Sequence, residues 1–396
     1  MDKLMWSEQL QQELQANILN FWAERTVDHN NGGFIGFIDS SGTIDDQADK
    51  GLVLHARILW TFSAASRHFS SIPYSVLAER AYVYLRDYFQ DQEHGGFYWM
   101  LNAQGQPVQD KKQVYGQAFV IYALAEFYRA TSRQEALDLA MELYRLLEKY
   151  SYDPDHQGYV EALAREWGPT ADLSLSDKDL NEKKSMNTHL HVLEAYTGLY
   201  RVCPSSDLQR SLTELINVTL DHIVDSQTGH FHLFFDEVWQ VKGHHISYGH
   251  DIEGSWLLVE AAEVLGDWAL LQRVKQTAIR MAGAVYTRGV DQDGGLWNEA
   301  GPSGLTDANK DWWPQAEAMV GFYNAYQLTG DEKYLQAAEN SWGFIQNHLI
   351  DRENGEWFLA IGEDKLPVPN LPKVSPWKCP YHNSRACLEM LERLTY

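Results

Sequence analysis

His250 and Glu253 lie three residues apart in the stretch Ser247-Tyr248-Gly249-His250-Asp251-Ile252-Glu253-Gly254-Ser255-Trp256. Apolar residues continue beyond them at helical spacing, at Ile252, Trp256 and Val259. The pair therefore sits on one side of the first turn of a helix. An imidazole with an ordinary pKa of ~6.5 can give and take a proton at neutral pH. A carboxylate beside it orients the ring and stabilises its charged form. The same pair also serves as a cap or a satisfied polar contact, so its meaning depends on what the fold gathers around it.

The positioning elements announce themselves as a repeat. An Asp, a short spacer, a Gly and then an aromatic or Leu recur six times: Asp28 with Gly33-Phe34, Asp91 with Gly96-Phe97, Asp153 with Gly158-Tyr159, Asp225 with Gly229-His230-Phe231, Asp291 with Gly295-Leu296, and Asp351 with Gly355-Glu356-Trp357. The apolar residues at 34, 97, 159, 231, 296 and 357 are 63, 62, 72, 65 and 61 residues apart. A near-constant period of this length marks a repeat architecture. Short alternating runs such as Phe34-Ile35-Gly36-Phe37-Ile38 follow the motif and predict short strands or hairpins. Between motifs the spacing predicts helices at about 7–27, 51–69, 74–91, 113–131, 133–149, 185–202, 206–224, 250–265, 267–287, 311–328, 331–349 and 380–394.

Twelve helices in six pairs, each pair closed by a Gly-aromatic turn, predict an all-α (α/α)6 barrel with short β-hairpins at one end, formed by residues 1–396 as a single domain. An open solenoid of six hairpins is the alternative, but it would want polar capping repeats. The last helix instead carries Tyr381, Leu388, Met390 and Leu391. In a ring, all six turns lie at one end and the helices that follow them point their N-termini into one mouth. Partial positive charge gathers there, where it can stabilise a developing oxyanion.

The residues expected at those six helix starts are polar or aromatic. They are His55 and Arg57; Tyr115 and Gln117; Asn187 and His191, with Glu194 one turn on; His250 and Glu253; Trp313 and Glu317; and Trp377 to Arg385, which includes His382. Trp313 and Trp377 offer apolar faces to sugar C–H surfaces, and Arg57, Asn187 and the histidines can hydrogen-bond hydroxyls. The pattern predicts a carbohydrate cleft. Metal chemistry is the competing reading, through His189-Leu190-His191 and His244-His245. Neither HxxxH nor HExxH occurs, and His189 and His191 point to different sides of a helix, so no metal ligands are expected. No Walker motif is present.

Composition narrows the class further. The 396 residues include 14 Trp and 21 Tyr, and the formal net charge is −23. Such an acidic chain is a poor partner for nucleic acid or an anionic membrane and suits a small neutral substrate. No apolar run approaches the ~20 residues that span a bilayer. The start of the chain shows no basic segment followed by an apolar one, so no signal peptide is expected. Cys203, Cys379 and Cys387 make no disulfide framework. A cytoplasmic protein, monomeric or weakly homo-oligomeric, is the expectation.

Over nearly its whole length the chain resembles the cellobiose 2-epimerases of the N-acylglucosamine 2-epimerase superfamily. The resemblance is carried by Ala48-Asp49-Lys50-Gly51 with Arg57-Ile58-Leu59-Trp60, Met186 to His191, Ser247 to Glu253, Trp312-Trp313, Gln315-Ala316-Glu317, Val320-Gly321-Phe322 and Trp377 to Asn383. It implies the same (α/α)6 barrel, His250 and His382 as the catalytic histidines, and no cofactor. It further implies that Arg57, Asn187, His191, Glu253, Glu299, Trp313, Trp377 and Tyr115 contact the sugar or support those that do. Gly254 stands where the family usually has Ala, and Ser384 where Gly usually follows His-Asn, so rate or substrate preference is expected to differ.

The implied reaction is reversible C2 epimerisation of the reducing-end glucose of cellobiose or lactose, through ring opening and a cis-enediolate. An aldose–ketose isomerase shares that intermediate. An inverting glycoside hydrolase would need two of Glu253, Glu299 and Glu317 to be ~6.5–9.5 Å apart across the bond. A non-catalytic sugar-binding protein is the remaining alternative. The polar segment 166–184, which lengthens the third spacing, reads as a rim loop choosing the non-reducing sugar or as a plain insertion.

Overall fold

The computed structural model describes residues 2–176 and 179–395. Among them twelve helical rods follow in order: α1 (3–25), α2 (Leu52–Phe69), α3 (72–89), α4 (Val114–Thr131), α5 (Gln134–Tyr150), α6 (Met186–Val202), α7 (206–223), α8 (Tyr248–Leu265), α9 (Trp268–Arg288), α10 (Trp312–Thr329), α11 (332–349) and α12 (Tyr381–Leu394). These match the ranges expected from apolar spacing within a few residues. The largest difference is at α1, which begins at Lys3 because Asp2 caps it, accepting a hydrogen bond from the Leu4 amide at 2.8 Å. The last turns of α3, α7 and α11 widen into π turns, just ahead of the Gly-aromatic motif.

The even-numbered helices form an inner ring. Each packs on the next, from α2 through α4, α6, α8 and α10 to α12, and α12 returns to α2. The odd-numbered helices form the outer layer, with α1 packed on α12, so the first helix of the chain completes the ring against the last. An inner helix has neighbours on all sides, and α2 accordingly buries every residue from Leu52 to Ala65. An outer helix needs only one apolar stripe. In α5 it is Ala136, Leu137, Ala140, Leu143, Tyr144 and Leu147, at the i, i+3, i+4 spacing of an amphipathic helix. Each large apolar side chain fully buried between the layers contributes ~1.5–3 kcal/mol.

Closure is repeated by short strands at one end. The two residues leading into an inner helix pair with the hairpin of the next repeat: Lys50–Gly51 with Met100–Leu101, Lys112–Gln113 with Ala162–Leu163, Lys184–Ser185 with Phe234–Phe235, Ile246–Ser247 with residues of Glu299–Gly301, and Lys310–Asp311 with Ala360–Ile361. The Ile38–Val374 bridge joins the last repeat to the first. This rules out the open solenoid. The chain is an (α/α)6 barrel, and the inner-helix N-termini converge on the end that carries these strands.

The turns have a second device that the motif alone does not show. Five of the six turn aspartates hold a buried lysine that comes just before the next inner helix, or in the sixth repeat a few residues earlier. Asp28 holds Lys50 at 2.7 Å, Asp91 Lys112 at 2.9 Å, Asp153 Lys184 at 2.8 Å, Asp291 Lys310 at 2.6 Å and Asp351 Lys373 at 2.5 Å. In the fourth repeat Ile246 stands where the lysine would be.

Candidate active site

The helix starts carry two layers of polar side chains, and only one faces the mouth. The fourth residue of an inner helix ties the preceding turn. The Phe34 amide donates to His55 Nε2 at 3.3 Å, Phe97 to Gln117 Oε1 at 2.9 Å, Tyr159 to His189 Nε2 at 2.9 Å and Leu296 to Gln315 Oε1 at 2.6 Å. His55 and His189 also donate from Nδ1 to the carbonyls of Gly51 and Ser185, so both ring nitrogens of each are occupied. His55 and Gln117 are therefore turn ties rather than cleft residues, and His189 is withdrawn from metal chemistry.

The mouth-facing layer holds Arg57, His191, Glu253, Glu317 and Arg385, all buried. Arg385 is its centre. Its guanidinium donates to Glu253 Oε1 and Glu317 Oε1, both at 2.7 Å, and to Glu194 and Tyr381. Glu317 passes the connection on: Oε1 accepts from His382 Nδ1 at 2.7 Å and Oε2 from the Trp256 indole at 3.0 Å. Glu194 Oε2 accepts from His191 Nδ1 at 3.0 Å. His250 Nδ1 pairs with the Ser247 hydroxyl at 2.7 Å. Each of these three histidines is thus fixed through Nδ1, and Nε2 makes no hydrogen bond among the described residues.

His250 and His382 flank one indole. The Trp313 ring centre is 4.6 Å from that of His250 and 5.4 Å from that of His382. Gly249 makes room for it, since a Cβ there would lie 2.5 Å from the Trp313 ring. Arg57 donates to the Tyr115 hydroxyl at 2.8 Å, and its guanidinium lies 4.3 Å from the Phe119 ring centre. Asn187 is half-buried and its Oδ1 has no partner. Trp377 borders a cavity of about 620 Å³ also lined by Trp99, Gln109, Lys111, Asp172 and Asp179. That cavity lies beside the histidines rather than over them, as neither His250 nor His382 lines it. Glu299 is exposed on the rim, across the strand pair from Ser247. The segment 166–184 carries no helix among its described residues and contributes Asp172 and Ser174 to Ser176 to the cavity wall, whereas Asp177 and Lys178 lie outside the described residues.

The electrostatics keep the two histidines uncharged. Burial, reinforced by His191, pulls the His250 pKa below its ordinary value, against the opposing charge of Glu317. Burial, then Arg57 and Arg385, holds His382 well below it. Both are neutral at physiological pH, and Glu317 fixes the proton of His382 on Nδ1, leaving the Nε2 lone pair free. Glu253 moves the other way, raised by burial and by the charge of Glu317. Burial would also raise Glu194, but Arg385 and His191 hold it below the usual carboxylate range.

Glu253, Glu317 and His382 present ligand atoms within 4.8 Å of one another. The Arg385 guanidinium already sits on both carboxylates, so a metal ion would have to displace a buried arginine. The donor set does not fit one. The same bridging works against the hydrolase, whose carboxylates stand on opposite sides of a substrate bond.

The family model for N-acylglucosamine 2-epimerase (GlcNAc 2-epimerase) matches residues 32–386. The chain is 47% identical to a cellobiose 2-epimerase of Bacteroides fragilis over 99% of its own length and 100% of that protein's. The chain belongs to the N-acylglucosamine 2-epimerase family, in its cellobiose 2-epimerase branch. A cellobiose 2-epimerase of Dictyoglomus turgidum is 39% identical over 100% of both chains. The solved structure of cellobiose 2-epimerase from Bacillus thermoamylovorans B4167 superposes with a TM-score of 0.94 at 41% identity, covering 98% of this chain and 99% of that one.

Spacing in the sequence underrated Glu317 and gave Arg385 no role, although Tyr381, His382 and Arg385 stand at the i, i+1 and i+4 positions of one face. Of the two departures from this family's pattern, Gly254 has a reason. A Cβ there would lie 2.3 Å from the Phe231 ring. Ser384 is buried with its hydroxyl unpartnered, and nothing in the structure explains it.

Proposed function

We propose that the chain catalyses reversible C2 epimerisation of the reducing-end glucose of β-1,4-linked disaccharides, cellobiose and lactose, to mannose, and that residues 1–396 act as one catalytic domain. One observation carries this reading: two neutral imidazoles, each pinned through Nδ1 with Nε2 left unbonded, pack against the same indole, Trp313. Ring opening exposes the C1 aldehyde and acidifies the C2 proton. One Nε2 removes that proton, the electron pair moves toward the C1 oxygen, and a cis-enediolate forms. A proton then returns to the opposite face of C2. General acid–base catalysis of this kind contributes about 10²–10⁴-fold.

The remaining stabilisation is assigned to Arg57, His191 and the converging helix N-termini, which face the enediolate oxygens. Glu253 and Glu317 hold Arg385 and His382 in place. Trp313, Trp377, Asn187 and Tyr115 line the sugar's path, and Glu299 meets it at the rim. The cavity beside Trp377, walled by the 166–184 segment, takes the non-reducing sugar. The reaction is redox-neutral proton transfer and asks for no cofactor. No helix among the described residues is long and apolar enough to cross a membrane, and the three unpaired cysteines support a reducing, cytoplasmic setting.

Incubation with cellobiose and with lactose in D₂O tests the reading. Deuterium at C2 of a mannose-ended product is expected. A ketose as main product would replace epimerase by isomerase, and release of free glucose would replace it by hydrolase.

A further inference from the structure

The second glycine of the turn motif is kept in four repeats, as Gly33, Gly96, Gly158 and Gly295. In each, a ring from elsewhere covers it. A Cβ would meet Tyr84 at 2.7 Å, Trp167 at 2.5 Å, Trp239 at 2.5 Å and Phe344 at 2.9 Å, respectively. The fourth and sixth repeats replace it, with His230 and Glu356. These are the repeats whose inner helices begin with His250 and His382.

Both replacements grip the residue that follows the histidine. His230 Nδ1 donates to Asp251 Oδ2 at 2.7 Å, and the Phe231 amide donates to Asp251 Oδ1 at 2.7 Å, with His230 and Asp251 buried. Glu356 Oε1 accepts from the Asn383 side-chain amide at 2.7 Å, from Lys378 Nζ at 2.7 Å and from the Trp357 amide at 2.8 Å, while Oε2 accepts from the Trp22 indole at 2.5 Å. Glu356 holds this position at φ 63°, a left-handed conformation that disfavours a side chain. Backbone strain is retained at a residue whose carboxylate ties the helix start below it to the turn and to Trp22 of α1.

We infer that His230 and Glu356 are positioning residues that fix the first turns of α8 and α12, and through them the rings of His250 and His382. The inference rests on the proposed chemistry at those two rings. In the glycine repeats the turn is tied through its backbone alone, by a hydrogen bond from the turn amide that in two of them is joined by one to the turn carbonyl, and no proton-transferring group depends on the tilt of that helix. In these two a side chain of the turn itself takes hold of the helix start. A misplacement of about 1 Å costs roughly 100-fold in rate, which is the scale of effect such a clamp controls.

The test is the rate of C2 hydrogen exchange of cellobiose in D₂O, read by NMR alongside kcat, KM and Tm. His230→Gly restores the turn that four repeats already fold with. It is expected to lower the exchange rate and kcat by about 10–100-fold with KM changed less than about threefold. His230→Gln, which can still donate to Asp251, should recover most of that loss, and Glu356→Gln should likewise outperform Glu356→Ala. Glu356→Ala strands Lys378, and if it fails to fold, the His230 pair decides. Wild-type exchange in His230→Gly, or a loss that Gln does not rescue, overturns the inference. A ketose product from the wild type would overturn the epimerase reading alone, because exchange at C2 is common to both reactions. No exchange at all in the wild type overturns both.

Discussion

The two ends of the barrel hold cavities of similar size and opposite character. At the mouth, beside about 620 Å³ of open space, buried polar atoms go without partners: Glu253 Oε2, Arg57 Nε, Arg385 Nε and Asn187 Oδ1. At the far end a cavity of about 550 Å³ is lined by Arg67, Arg129, Arg201, Arg393 and Lys275 and by Glu126, Glu260, Glu263, Glu389 and Glu392. There the charges are spent on one another, as in Arg67–Glu126 at 2.8 Å, Arg129–Glu126 at 2.7 Å and Arg201–Glu260 at 2.7 Å. Helix polarity explains the contrast. Inner-helix C-termini collect arginines in their last turns, in α2, α4, α6 and α12. At the inner-helix N-termini Arg385 is paired with Glu194, Glu253 and Glu317 and the lysines with the turn aspartates, beside imidazoles that burial keeps neutral. Volume does not separate the two ends; the pairing of their charged groups does.

The largest break in this comparison comes from the histidines themselves. His382→Asn and His250→Asn are each expected to lower kcat on cellobiose by about 10²–10⁴-fold with the fold retained. Steady-state kinetics and far-UV circular dichroism on the same preparations check both parts. Full activity in either variant would remove that ring from the mechanism.

The next is structural. Arg385→Met leaves Glu194, Glu253 and Glu317 facing one another without their shared cation. Removing one member of a buried charge cluster costs about 3–5 kcal/mol, so thermal or urea unfolding should show a severe loss. A loss below about 1 kcal/mol would mean that the mouth is held together by packing alone.

How much of this was legible varies with the physics involved. Helix ranges were legible because burial on one side of an outer helix, or all sides of an inner one, writes its period into the chain. The six turns were legible because the left-handed backbone at residues such as Gly33 asks for glycine. Ring closure by Ile38 and Val374 was not, since strand pairing between repeats leaves no local pattern. Nor did residue type separate His55 and His189 from His250. All three start inner helices, but His55 and His189 are fourth residues and His250 is a third, and one residue turns the side chain by ~100° around the axis. The buried lysines ahead of four of the inner helices, at Lys50, Lys112, Lys184 and Lys310, did recur in the sequence, but their meaning needed the aspartates that hold them.

The tie histidines sharpen the same contrast through pH. Burial lowers His189 to about 4 and His55 to about 3. Between those values and the unfolded ~6.5, the unfolded chain binds protons that the native state refuses, so stability is lost as pH falls through this window. Gln117 and Gln315 do the same tying work without titrating. The double variant His55→Gln/His189→Gln should therefore keep its Tm near neutrality and lose less of it than wild type near pH 5. An unchanged acid slope would show that other groups govern acid unfolding.

The smallest effect is expected at the far end. Arg201 and Glu260 are partly exposed, so their pair sits within reach of solvent screening. Exposed pairs contribute ~0.2–1 kcal/mol, and Arg201→Gln should lower stability by no more than that, by less at high salt, with kcat on cellobiose unchanged. The comparison depends on this variant as much as on His382→Asn. If neutralising Arg201 altered kcat, the two ends would be coupled through α6, whose first turns carry Asn187 and His191 and whose last carries Arg201, and the far cavity could no longer be read as a closed set of mutually satisfied charges.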